Sequence, residues 1–195
     1  INTWLNENDS RLIEIRRYLH AHPEIGFKEH HTATYLKEIL IGVGYDLHQT
    51  EAMQEGFYIE SGNGNGPTLA IRCDLDALPI HDSKQVPYRS KNEGVMHACG
   101  HDVHMTIATG MALWIKESNI KIQGRLRIMY QPAEETAPGG ALEMIKGGAV
   151  EGVDHIIGYH VLPKLQAGRI GLKAGPISAA VEAHSFTFEG KGGHT

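Results

Sequence analysis

Apolar residues recur at helical spacing twice near the start of the chain. Leu12, Ile15 and Leu19, with Ile13 beside them, predict an amphipathic helix over 3–21, stopped by Pro23. Leu36, Ile39 and Leu40 predict a second over 29–41, with Gly42 as its C-terminal stop. The pattern then changes to short apolar runs between polar turns. Residues 57–60, 68–73, 125–130 and 155–160 read as strands, and 61–67 (SGNGNGP) as a turn. Helices are predicted over 100–117 and 139–146. Strands alternating with helices imply crossover units, hence an α/β fold with a mostly parallel sheet and flanking helices. After Pro176 the pattern shifts again, and 183–190 alternates like a half-exposed strand. A domain boundary is placed near 175–178, so that 1–176 form one domain and 177–195 open another.

Composition narrows the class of protein. The 195 residues are 41% hydrophobic and 21% charged, as in an ordinary globular domain large enough to bury a core. A net charge of −5 argues against a nucleic-acid partner. No stretch approaches the roughly 20 apolar residues of a membrane span. The start, INTWLNENDS, lacks the basic and apolar regions of a signal peptide, and 2 Cys cannot build a disulfide scaffold. A reducing, cytoplasmic setting is expected. The 13 histidines stand out, because imidazole carries protons near neutral pH and is the commonest metal ligand.

Polar clusters follow the predicted strands. DLDALP (74–79) follows TLAIRC, QPAEE (131–135) follows RLRIMY, and His160 closes HIIGYH. A fourth cluster, MHACGHDVH (96–104), opens the long helix. In open α/β sheets ligands bind beyond the carboxyl ends of the strands, so these groups can meet at one site. Cys99, His101, Glu134, Glu135 and His160 supply thiolate, imidazole and carboxylate, a donor set suited to Zn²⁺, with Mn²⁺ or Co²⁺ also served by His and carboxylate. A thiolate can bridge two cations, which would make the site catalytic instead of a closed structural one. Each residue has a plainer reading. Cys99 is otherwise a small buried hydrophobe, and His160 a satisfied core histidine. Asp74 and Asp76 either cap the next turn or orient a ligating histidine. His97, His104 and Asp102 are candidates for that orienting role. His20, His22, His30, His31, His48 and His81 read as surface or structural residues, and Cys73 as a core strand residue.

With these residues in place, the chain resembles the M20 metallopeptidase family. More narrowly, it resembles its amidohydrolase branch of hippurate hydrolases, N-acyl-amino-acid and N-acetyldiaminopimelate deacetylases and auxin-conjugate hydrolases. RRYLHAHPEIGFKE (16–29), IRCDLDALPI (71–80), GVMHACGHDVH (94–104), QPAEE (131–135), GGA (139–141), GYHV (158–161) and GKGGHT (190–195) carry the likeness. The resemblance implies a zinc-exopeptidase-like catalytic domain and two divalent metal ions, Zn or Mn, with Co or Ni also accommodated. It implies Cys99 as the bridging ligand, His101, Glu135 and His160 as further ligands, Glu134 as general base, and Asp76 as a residue supporting them. It implies that His194 reaches a partner's active site and polarises the scissile carbonyl. It also implies a homodimer formed through a smaller α+β lid domain whose first strand lies in 177–195, and a small N-acyl amino acid as substrate. Family members are about twice this length, so the chain is expected to be a piece of a longer enzyme, inactive alone. An aminopeptidase or dipeptidase of the same chemistry, and a non-catalytic metal-binding or dimerisation module, are the competing expectations.

Overall fold

The computed structural model describes residues 1–177, 179 and 184–193. Helix α1 spans Asn2–Ala21 and α2 spans His30–Gly42, where the apolar periodicity places them. The start of α2 has a cap that periodicity does not reveal. The Glu24 carboxylate accepts from the amides of His31 at 3.2 Å and Thr32 at 2.7 Å, and from the Thr32 hydroxyl at 2.8 Å. It thereby satisfies amides that a helix start leaves unpaired.

The strands are β1 (Leu47–His48), β2 (Phe57–Gly62), β3 (Thr68–Asp74), β4 (Arg125–Gln131) and β5 (His155–Gly158). Helix α3 (His101–Glu117) lies between β3 and β4, and α4 (Ala141–Lys146) between β4 and β5. The short β1 and a 3-10 turn at Glu51–Met53 were not predicted. The expected α/β class with flanking helices holds. Strand order is β1-β2-β4-β3-β5, with β4, β3 and β5 mutually parallel and β1 and β2 antiparallel additions at one edge. The link between β2 and β3 explains the reversal. Residues 63–67 are too few for the dozen or more that a parallel crossover needs, so β2 runs against β3. β4 then inserts between them.

Alternation along the strands splits the core between two faces. On one, Ile71, Cys73, Leu126, Ile128 and Tyr130 pack with Leu19, Leu36, Leu40, Met105 and Leu113 from α1, α2 and α3. On the other, Ala70 and Met129 pack with Met53, Met144 of α4 and Ala149. Arg127 is buried on this second face, where Glu60 accepts from its guanidinium at 2.7 Å and the carbonyl of Ala149 at 2.6 Å.

Two compact units are distinguished, Ile1–Val161 and Leu162–Thr195. The described residues of the second lie outside helices and strands. Among the described residues no helix is long and apolar enough to cross a membrane.

Candidate metal centre

Parallel pairing brings the site together. Asp74 is in register with Gln131, and Arg72 with Gly158, so β3, β4 and β5 release their following segments at one edge of the sheet. His160 sits two residues past the end of β5. Helix α3 begins at the same edge, directly after Gly100. Gly100 adopts φ +87, a left-handed conformation that side chains disfavour, and any Cβ there would collide with the Val161 side chain. The bend leaves Cys99 and His101 on either side of the glycine.

Three sets of donor atoms each lie within 4.8 Å of one another: Cys99 with His101 and His160, Asp74 with His101 and His104, and His101 with Glu134 and Glu135. His101 belongs to all three. Its Nδ1 donates to the Asp76 carbonyl at 2.8 Å, with an Asp76 carboxylate oxygen at 3.4 Å. That bond fixes the tautomer and leaves Nε2 as a free lone pair, the arrangement typical of ligating histidines. Nε2 is buried without a hydrogen-bond partner, 3.9 Å from oxygens of both Glu134 and Glu135. His160 is arranged alike. Its Nδ1 donates to the Val161 carbonyl at 2.7 Å, and its Nε2 lies 3.2 Å from the Cys99 sulfur. An orphaned imidazole nitrogen, a thiol and two carboxylates facing one another fit divalent cations.

His104 differs. Its Nδ1 donates to Asp74 at 2.7 Å and its Nε2 accepts from the Val161 amide at 3.0 Å, so neither nitrogen is left for a metal. It ties the end of β3 to the segment carrying His160. Tyr159 strengthens the tie, its hydroxyl donating to the His104 carbonyl at 2.6 Å.

The charges favour a cation. Burial opposes ionisation of Asp74, but the His104 hydrogen bond and the charges of His101 and Arg72 outweigh it and hold the carboxyl at about 2. Asp76 is likewise lowered despite burial, by His101 and by the amides of Glu135 and Glu134. Burial works against a charged His101 ring, yet Asp76 and Asp74 raise it above its ordinary value. Burial and the neighbouring Glu135 and Glu134 push the Cys99 thiol up to about 12. A metal reverses that last effect, because a coordinated thiol gives up its proton.

The other candidates fall in different places. The Asp102 carboxylate is engaged by His20 Nδ1 at 2.7 Å and Arg16 Nε at 3.0 Å. His20 is itself buried, and its other ring nitrogen faces Asp82 at 3.3 Å, which makes it a structural histidine. His97 is buried with neither ring nitrogen hydrogen-bonded, and burial pulls it down to about 4. Cys73 is a core strand residue, as expected. His194 lies outside the described residues.

Two contacts are not legible in the sequence, where Asp76 reads only as a turn cap or a support for the ligands. The Asp76 carboxylate accepts the Glu135 amide at 2.8 Å, and the buried Glu29 carboxylate accepts the Ala133 amide at 2.7 Å. Glu29 ends the RRYLHAHPEIGFKE segment, whose resemblance to the family was the available signal.

Fold and donor set together define an α/β metal-binding domain with its centre at the carboxyl edge of a sheet. Residues 70–192 match the model of peptidase family M20/M25/M40, and the chain belongs to that family. It is 41% identical over 191 residues to an N-acetyl-L-cysteine deacetylase of Bacillus subtilis, covering 97% of this chain and 45% of that protein. It is 40% identical to an N-acyl-L-amino acid amidohydrolase of Geobacillus stearothermophilus, covering 100% of this chain and 52% of that one. Among solved structures, the Bacillus subtilis YXEP protein, described as a dinuclear metal binding peptidase from the M20 family, superimposes with a TM-score of 0.81 at 39% identity. That match covers 86% of this chain and 47% of the other. The chain spans about half the length of the curated relatives it matches.

Proposed function

We propose that this chain supplies much of the catalytic domain of a dinuclear-metal amidohydrolase. Its reaction would cleave the amide bond of N-acyl amino acids or similar small amides. One observation carries the reading: Cys99, His101, Glu135 and His160 converge with Glu134 beside them. They would hold two divalent cations, Zn or Mn, with Co or Ni also suited to the donors. When bound, such cations polarise a carbonyl and lower the pKa of water toward neutrality.

The chain's own residues divide the remaining work. Cys99 faces both His160 and Glu135 and would hold metal together with them. His101 is oriented by Asp76 and His160 by the main chain beside it. Glu134 is 41% exposed, next to the ligating set but less enclosed than Glu135 at 25%. It is the general base: it accepts a proton from the attacking water and returns it to the amine as the carbon–nitrogen bond breaks. His194 is assigned to the scissile carbonyl of a partner protomer, in a homodimer built through a lid domain that begins in 177–195. A cytoplasmic setting accords with free thiols at Cys73 and Cys99.

The test is hydrolysis by the intact protein of a panel of N-acyl amino acids and dipeptides, before and after chelation. Amine release from N-acyl amino acids, lost on chelation and restored by metal, is expected. The absence of hydrolysis in the metal-restored protein overturns the proposal. Preferential cleavage of dipeptides would support the second reading, a dipeptidase, which the description of the Bacillus subtilis structure as a peptidase favours.

A further inference from the structure

Glu29 is fully buried at the residue before α2, far in sequence from the paired glutamates. One of its oxygens accepts the Ala133 amide at 2.7 Å; the other, buried too, has no hydrogen-bond partner. A buried carboxyl with an oxygen left unpaired costs stability, so its directed bond to a distant segment needs a reason. That bond goes to the residue immediately before Glu134 and Glu135.

Ala133 is itself constrained. It adopts φ +48, in the left-handed region that residues with a Cβ avoid. Such a conformation persists only where its surroundings over-determine it. Here the amide is held by Glu29 and the carbonyl accepts from the Gly140 amide at 3.0 Å. Gly26 closes against the same turn. A Cβ at Gly26 would stand 2.5 Å from the Thr136 hydroxyl and 3.1 Å from the Ala133 Cα. Two residues on, the Glu135 amide is held by Asp76 at 2.8 Å. The main chain on both sides of Glu134 is therefore anchored by buried carboxylates from two distant segments.

We infer that Glu29 is a positioning residue for the metal centre, acting through the Ala133 amide to fix the directions in which Glu134 and Glu135 leave the turn. The role rests on the reading of Glu134 and Glu135 as base and ligand. What matters is the reach of an acceptor oxygen to the Ala133 amide. Ionisation is not required, in keeping with a carboxyl that burial raises to about 7.

Two variants of the intact protein separate reach from charge. Glu29→Gln keeps the reach and removes the charge. Glu29→Asp keeps the charge and withdraws the oxygen by one methylene. Cobalt affinity is measured by competition with a chromogenic chelator, alongside the cobalt–thiolate absorption band, kcat and KM for an N-acyl amino acid, and thermal melting. Glu29→Asp is expected to bind cobalt about tenfold to a hundredfold more weakly, with a lowered kcat, while Glu29→Gln binds as wild type does. A merely structural role would lower the melting temperature of Glu29→Asp and leave cobalt affinity of the folded protein unchanged, which overturns the inference. Wild-type affinity in both variants overturns it, as does equal loss in both or loss in Glu29→Gln alone. If wild-type protein binds cobalt but hydrolyses no N-acyl amino acid, the functional reading fails while the cobalt titrations still decide the role of Glu29.

Discussion

His104 and Asp74 meet at 2.7 Å in the interior, and the bond uses the only proton that the ring's other contact permits it. Both side chains are almost fully buried. Replacing His104 with Phe keeps a buried ring and leaves the Asp74 oxygen and the Val161 amide short of a partner. Unsatisfied buried groups of this kind cost about 1–3 kcal/mol each. His104→Phe should therefore lose unfolding free energy in or above that range, read as a lower denaturant midpoint at an unchanged m-value. Wild-type stability would show that the bond contributes nothing.

Glu134 touches the residues that hold the ligands in place through its main-chain amide at Asp76 and not through a side-chain hydrogen bond, so replacing its side chain should spare the metals. In the intact enzyme Glu134→Gln is expected to retain metal content and lose turnover by about 10²–10⁴. Metal analysis beside steady-state kinetics checks both halves. Substantial residual turnover would transfer the base role to another group.

Among the described residues, Cys99 is the sulfur in the candidate donor sets. Cys99→Ala in the intact protein should abolish the cobalt–thiolate absorption band and lower the bound metal below two ions per chain. A titration followed by absorption and by elemental analysis reads both. An undiminished band would locate the sulfur ligand elsewhere.

Burial raises the Glu29 carboxyl from 4.5 to about 7. A carboxyl raised on folding contributes stability that is whole below pH of about 4.5 and is lost as pH rises through about 7. Glu29→Gln cannot ionise and escapes that loss. Melting temperatures of the metal-free intact proteins should diverge between those pH values in favour of the variant and run parallel above them. Curves parallel throughout would contradict an acid buried in its protonated form.

The elements that sequence reading finds are those with a period. α1, α2, α3 and the strands β2 to β5 announce themselves by apolar spacing of 3.6 or by short apolar runs. The metal-binding candidates are legible for a related reason: QPAEE and HIIGYH place polar groups at the ends of such runs, where α/β sheets build sites. The two-residue β1 has too few positions to carry a pattern. The insertion of β4 between β2 and β3 is a long-range pairing with no local trace. The same holds for buried polar contacts. Glu29 meets Ala133 across 104 positions, and His20 meets Asp102 across 82, and neither pairing leaves a mark on local periodicity. His20 reads from sequence only as surface or structural, because the partners that decide between the two lie in other segments.

Cys99 and His160 are 61 positions apart and come within 3.2 Å only when β5 has joined β3. Parallel pairings of this kind are non-local and therefore slow to form. A cation that binds the assembled centre and not the unfolded chain adds about 4 kcal/mol of stability at a free concentration a thousand times its dissociation constant. That is a large share of the roughly 5–15 kcal/mol that keeps a domain folded. Cellular abundance of the protein would then follow the supply of its metal, with chains made during scarcity left for proteases.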